Sequence, residues 1–429
     1  MNKEKINHFS LGRLLTALRD LRSGEGLKTT LLGIGPMSEN IIRATLELAR
    51  DYDFPAMFIA SRNQVDVDRL GGGYVLNGSP KRFVEAINKV ASQVGFDGIL
   101  FICRDHGGPW QRDNEKEEKL SEQEAMKRAR LSYLTDILSG FDVLHIDCTL
   151  DPHFEGYVPL EIVIRRTIDL VEYIERERQN RGVDSIGYEV GTEMTAGGLT
   201  NSTDFEQFLV DLIAQLDRRG LPRPDFIVGQ TGTLIKMQKN IGQFDQEKAE
   251  ELVSIAEKHG VSFKEHNADF LDERSLRRHP EIDIAAANTG PEFSATEAKA
   301  YLKLAELEGN SIDEENSLPI SNFVSVLSEA ALDSERWRKW LTKEDQHLTK
   351  QEIARDKDKL REVTIISARY VINQPEVVTA TERLFNNLKT LDVTSDPQRE
   401  ILGEIKKGLQ RWIDAFNLEG TTSRILSRI

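Results

Sequence analysis

Short apolar runs recur along the chain, separated by longer stretches in which apolar and polar positions alternate with helical spacing. The runs are TTLLGI (29–34), AMFIA (56–60), DGILFI (97–102), VLHID (143–147), SIGYEV (185–190), DFIVG (225–229), VSFKE (261–265) and IDIAAA (282–287). Their mostly continuous apolar character predicts strands covered on both faces, as in a parallel sheet. Between them lie amphipathic helices such as ENIIRATLELARDY, PKRFVEAINKVASQVG and QEKAEELVSIAEKHG, the last stopped by His259-Gly260. Eight alternating β and α units predict an α/β protein, a (β/α)₈ barrel. The alternative is a doubly wound open sheet. GIGPMSEN after the first run lacks the third glycine of a dinucleotide fingerprint, which favours the barrel.

The opening stretch, MNKEKINHFSLGRLLTALRDLRSG, predicts an amphipathic helix ending at Gly24. Beyond residue 310 strand signals disappear. The expected organisation is a barrel with its N-terminal helix over 1–309 and a helical C-terminal extension over 310–429. Asp333 is the expected N-cap of the DSERW segment, and Pro375 starts a helix in QPEVVTATERLFNNLKTL. Trp337, Trp340 and Phe385 either complete the chain's own core or anchor an interface, and the expectation is a homo-oligomer, at least a dimer.

The chain has 429 residues and a net charge of −15. That balance argues against nucleic acid, which needs a basic face, and against an anionic membrane surface. No stretch approaches the roughly 20 apolar residues that span a bilayer. Cys103 and Cys148 fall inside predicted strands, so no disulfide framework is expected and a cytoplasmic location is.

In such a barrel the active site forms at the C-terminal ends of the strands. Polar groups stand at nearly every one. Arg62, Asn63 and Gln64 follow the second run, and Arg104, Asp105 and His106 the third. Asp147 ends the fourth, Glu189 and Glu193 belong to the fifth, and Gln230 follows the sixth. His266 and Asp269 come after the seventh and Asn288 after the eighth. His106, His266, a glutamate and Gln230 make a nitrogen and oxygen donor set suited to one divalent ion, Zn²⁺, Mn²⁺ or Co²⁺. His145 lies mid-strand and reads as structural; His153, His259, His279 and His347 carry no expected role.

The order of these motifs resembles the Z-type subunit family of class II D-tagatose-1,6-bisphosphate aldolase. The matching stretches are ASRNQVDVDRLGGGY, DGILFICRDHGGPW, FDVLHIDCTLD, IGYEVGTEMTAGG, DFIVGQTGTL, VSFKEHNADF and DIAAANTGPEFSATEA, with FVSVLSEAALDSERWRKW and QPEVVTATERLFNNL in the tail. The resemblance covers most of the chain. It implies a metal-dependent ketose site working at C3–C4, as an aldolase or a ketohexose 4-epimerase. It equally implies the subunit usually called non-catalytic, which stabilises a catalytic class II aldolase partner. His106 and His266 become the first metal ligands, with Glu193 (or Glu189) and Gln230 next. Asp105 becomes the base that moves protons, with Asn288 or Gln64 as the orienting amide. Arg62, Asn63, Arg104, Asp147 and Asp269 are expected to meet a sugar or sugar-phosphate substrate, the two arginines flanking the mouth as cations for an anionic group. Two departures stand out: EHNADF replaces the glycine-rich phosphate loop of catalytic aldolases, and Cys103-Arg104 replaces the usual pair of glycines.

Overall fold

A computed structural model describes residues 9–76, 78–191, 199–312 and 318–429. Ten strands are described: β1 (Leu31–Ile34), β2 (Ala56–Ala60), β3 (Leu100–Gly107), β4 (Val143–Ile146), β5 (Gly187–Gly191), β6 (Phe226–Val228), β7 (Ile235–Lys236), β8 (Lys239–Asn240), β9 (Ser262–Glu265) and β10 (Ala286–Thr289). Eight of them close into a barrel of parallel strands, in the order β1-β10-β9-β6-β5-β4-β3-β2. β7 and β8 form a small antiparallel hairpin in the loop after β6.

Two of the boundary shifts from expectation bear on the site. β3 runs on through Gly107, so Cys103 to His106 belong to the strand. The last barrel strand begins at Ala286, because Ile282 caps helix Glu273–Glu281 and the Ile284 amide bonds back to His279. Asn288 therefore sits inside the strand.

The barrel interior changes character along its axis. Its lower half is apolar: Leu31, Met57, Ile59, Phe101, Cys103, Val143, Phe226 and Ala286 are buried together. Helix Leu11–Glu25 plugs this end with Leu11, Leu14, Leu15 and Leu21. That helix ends one residue beyond Gly24, and Gly26 takes the left-handed conformation that closes it. The upper half is polar and forms the site described below.

Helices after Ser311 pack back on the barrel, and one continuous core joins Ile365, Val377, Leu384, Ile405 and Trp412 to the barrel helices. Trp337 is buried among Leu332, Leu341 and Ile353, and Phe385 stacks on Tyr301 at 6.1 Å. Trp337 is used within the chain's own core, and the half-buried Phe385 packs against the continuous core. Asp333 ends helix Phe323–Asp333 instead of capping the next segment, and its carboxylate pairs with Lys350. Pro375 does open its helix. Cys103 and Cys148 are buried free thiols. Among the described residues no helix is long and apolar enough to cross a membrane.

One buried acid in this framework gives stability a pH dependence. Glu297 accepts from Ser38 Oγ at 2.9 Å and Asn40 Nδ2 at 2.7 Å, and burial raises its carboxyl to about 7. The folded state holds this proton where the unfolded chain has lost it, so stability falls as pH rises from about 4.5 to 7. Glu297→Gln keeps both accepted bonds and removes the ionisation. We expect it to flatten the urea-stability profile between pH 5 and 8 and to gain up to roughly 3 kcal/mol at the alkaline end. Asp225 and Asp269, raised by burial to about 6 and 7, tilt the curve the same way, so some slope remains.

Candidate active site

The site begins with an irregularity in β3. Cys103 pairs with Val143 and Arg104 with Leu144, but Gly107 pairs with Ile146, so Asp105 and His106 together oppose His145. This is a bulge, a device that re-aims side chains beside active sites. His106 takes φ 42°, and its backbone amide donates to His145 Nδ1 at 3.3 Å. Successive residues of a regular strand would point to opposite faces. The bulge lets Asp105 and His106 both face the cluster. It also explains the two glycines that follow. A Cβ on Gly107 would lie 2.5 Å from Tyr133 Oη, and one on Gly108, at φ 114°, would lie 2.1 Å from the Asp147 carbonyl oxygen.

The neighbouring strands complete the cluster. His106 Nδ1 lies 2.8 Å from Asp147 Oδ2, and its Nε2 lies 3.1 Å from His266 Nδ1. His266 Nε2 lies 2.7 Å from Glu189 Oε1 and 3.6 Å from Asp105 Oδ1. His145 Nδ1 is 3.3 Å from Glu189 Oε1. Lys264 Nζ donates to Glu189 Oε2 at 2.6 Å. Asn288 Nδ2 donates to Asp105 Oδ1 at 3.0 Å. Thr149 donates to Asp147 Oδ1 through both its amide and its hydroxyl.

Burial pushes each of these carboxyls up, and their partners more than reverse it. Lys264, His145 and His266 hold Glu189 well below the usual range; His106 carries Asp147 to about 2; His106 and His266 lower Asp105. All three are therefore carboxylates at neutral pH. Burial lowers His145, which stays neutral.

The donor set fits a divalent ion on three grounds. Donor atoms of His106, His145 and His266 lie within 4.8 Å of one another, and so do those of Asp105, His145, Glu189 and His266. His145 Nε2 is buried without a hydrogen-bond partner among the described residues; ligating an ion through it would put the ring proton on Nδ1, 3.3 Å from Glu189 Oε1, in place of the contact with the His106 amide. Metal ligation requires neutral histidines, and in that state three carboxylates against one lysine carry a buried charge of −2, which a divalent cation balances.

His145 is the residue the sequence reading passed over. Strand parity carries the missed signal: Val143, His145 and Asp147 share one face of β4, so a chain that sends Asp147 inward sends His145 inward too. Glu193 and its neighbours 192–198 lie outside the described residues. Gln230 is buried just after β6, where its backbone amide donates to Thr200 Oγ1.

Other expected site residues face elsewhere. Arg104 points out of the barrel. Its Nε and Nη2 donate to Asp136 at 2.8 and 2.6 Å, and its Nη1 to the Ala60 and Val65 carbonyls. Arg62 is equally buried and saturated by Asp66, Glu115 and the Gly108 carbonyl. The expectation of two substrate-facing cations is corrected: both guanidinium groups are occupied inside the wall. Arg104→Met, which strands Asp136 as a buried unpaired acid, should cost about 3–5 kcal/mol in urea unfolding and leave the KM for any sugar unchanged.

Asn63 ties its loop to the next, accepting from the Asp113 amide and donating to the Gln111 carbonyl. Gln64 accepts from the Ser61 amide and donates to Met37 Sδ, which leaves Asn288 as the amide on Asp105. Asp269 accepts from Thr289 Oγ1 and from the Gly290 and Glu292 amides, so it serves the N-terminus of helix Pro291–Ser311 and not a substrate.

The sequence matches the family described as D-tagatose-1,6-bisphosphate aldolase subunit GatZ/KbaZ-like over residues 19–216 and 221–406. The chain belongs to that family. Membership places it in carbohydrate metabolism related to tagatose-bisphosphate aldolase. No curated protein matches the chain. Among solved structures it is similar to a probable tagatose 6 phosphate kinase from Sinorhizobium meliloti 1021, with a TM-score of 0.71 and 20% identity over 90% of this chain and all of that one. It is also similar to the native fructuronate-tagaturonate epimerase UxaE from Cohnella laeviribosi, with a TM-score of 0.54 and 11% identity over 91% of this chain and 81% of that one. The YdjI aldolase from Escherichia coli K12 gives a TM-score of 0.50 and 12% identity over 96% and 99%. At these identities the likeness is one of fold: a barrel shared with sugar-processing enzymes.

Proposed function

We propose that the chain is itself a metal-dependent ketohexose enzyme that makes and breaks the C3–C4 bond. The observation that carries this reading is the buried cluster in which Asp105, held by Asn288, stands 3.6 Å from His266 within the metal-fitting donor set. His106, His145, His266 and Glu189 would hold the ion. Glu193 and Gln230 remain proposed as further ligands. A bound Zn²⁺, Mn²⁺ or Co²⁺ supplies Lewis acidity that polarises a ketose carbonyl.

The protein's own groups do the rest. Asp147 fixes the His106 ring through Nδ1, and Lys264 fixes one oxygen of Glu189, the kind of support that orients ligands. Asp105, a carboxylate at neutral pH, takes the proton from the C4 hydroxyl. The C3–C4 electrons move toward the C2 carbonyl, giving an aldehyde at C4 and an enediolate. Asn288 keeps Asp105 in place, and its Oδ1, buried without a partner among the described residues, is left to accept from a sugar hydroxyl. Gly33 makes room for it, since a Cβ there would sit 2.2 Å from Asn288 Oδ1. If the aldehyde turns over before C3 re-attacks, C4 is inverted and Asp105 returns its proton: a 4-epimerase. If the aldehyde leaves, the proton held by Asp105 passes to C3 of the enediolate and the three-carbon ketone is released: an aldolase cleavage.

The family's description as an aldolase subunit favours a second reading, support of a catalytic class II aldolase partner. The test is to incubate the metal-loaded chain alone with fructose, tagatose, their phosphates and the corresponding uronates, and to follow products by NMR. Epimers without triose support the epimerase, and triose the aldolase. Turnover that begins only when an aldolase partner is added replaces the proposal with the second reading.

A further inference from the structure

With Arg62 and Arg104 locked in the wall, the cations that could meet an anionic substrate lie in the helical extension. The short segment Arg336–Trp340 reaches three loops at the barrel's C-terminal face. Its Trp340 and Lys339 carbonyls accept from the Met237 amide and Lys236 Nζ, both at 2.9 Å, in the hairpin after β6. Lys339 Nζ lies 3.5 Å from Asp113 in the loop after β3. Arg336 lies 5.0 Å from the ring centre of Tyr74 in the loop after β2. The segment therefore lies across the mouth of the barrel.

There it builds an aromatic box around two arginines. Tyr74 and Tyr370 meet edge to face at 4.7 Å, and Trp340 Nε1 donates to Tyr370 Oη at 2.9 Å. Arg369 stacks over Trp340 at 4.3 Å and over Tyr370 at 4.9 Å; Arg336 stacks over Tyr370 at 5.2 Å. Arg369 is only 3% exposed, yet among the described residues its Nε and Nη2 have no acceptor, and neither has Arg336 Nη1. Neither guanidinium forms an ion pair among the described residues. Stacking occupies the faces of a guanidinium and leaves its in-plane N–H edges for an acceptor. Asp113, which also pairs with Lys116 and Lys339, is the carboxylate that feels Arg336, and it leaves the in-plane edges of both arginines open; an oxyanion with two or three oxygens satisfies such edges.

We infer that Arg336, Lys339 and Arg369, framed by Tyr74, Trp340 and Tyr370, form a subsite for the phosphate or carboxylate of an acidic ketohexose. The inference rests on the sugar-site reading above and gives it a substrate class.

The test uses calorimetric titration of the metal-loaded full chain with a ketohexose 6-phosphate, a ketohexuronate, the neutral ketohexose and inorganic phosphate. The expected result is at least about tenfold tighter binding of one acidic sugar than of the neutral one, weakened by salt. Arg369→Met and Arg336→Met should each remove most of that excess and leave neutral-sugar binding unchanged. Which acidic sugar loses more identifies phosphate or carboxylate. If Arg369→Met does not fold, the half-buried Arg336 decides alone. A folded Arg336→Met variant that binds both acidic sugars as the wild type does overturns the subsite, as does a wild type with no preference for either. Inorganic phosphate separates the two readings: arginine-dependent phosphate binding by a chain that alters no sugar keeps the subsite and rejects the enzyme.

Discussion

Asp105→Asn lowers turnover by about 10²–10⁴-fold, the usual contribution of a positioned general base, and leaves KM nearly unchanged. Asparagine keeps the shape and can still meet Asn288, so binding survives while proton removal does not. The steady-state split between kcat and KM is the measurement. The pH profile adds a second sign. His106 and His266, with their proximity outweighing burial, hold Asp105 below the ordinary carboxylate range. The acid limb of kcat/KM that depends on Asp105 should therefore fall on the acidic side of that range, and it should vanish in the variant. Unchanged turnover would remove Asp105 from the mechanism.

The second large effect is on the metal. Protein purified without chelator should hold about one divalent ion per chain, as a single three- or four-ligand site does. His266→Ala, His106→Ala and also His145→Ala should each weaken binding at least about tenfold, measured by elemental analysis after dialysis against a competing chelator. His145 carries the sharpest form of this expectation, because its buried Nε2 has no other described use. A His145→Ala variant that keeps its full metal content would return His145 to the structural role its mid-strand position suggested. Chelator alone should also lower the melting temperature, since the empty cluster concentrates three carboxylates against one lysine.

The eight strands and most helices were legible because burial on both faces leaves continuous apolar runs, and because caps such as Pro375 and Pro80 mark helix starts chemically. Asp105, His106, His266, Glu189 and Asn288 were legible because polar residues at several strand ends at once are poorly explained by packing. Direction of projection was not legible. Arg104 and Asp105 are neighbours in sequence, yet one faces the helices and the other the barrel axis, and a bulge that no residue pattern announced then turns His106 toward the axis as well. Arg62 and Arg104 looked like substrate cations because their buried partners, Glu115 and Asp136, lie 53 and 32 residues away along the chain. The aromatic box around Arg369 was hidden for the same reason: Tyr74 and Tyr370 meet only in three dimensions.

In the proposed reaction the chain breaks and re-forms C3–C4 and does not exchange the hydrogen at C4. Running the metal-loaded chain alone on its ketohexose substrate in D₂O tests this directly. C4 keeps its hydrogen when it becomes the aldehyde carbon, so NMR of the epimerised or cleaved product should show protium on the former C4. Deuterium at that carbon would mean that a C–H bond was broken, and it would contradict the account, as would the absence of any turnover by the chain alone.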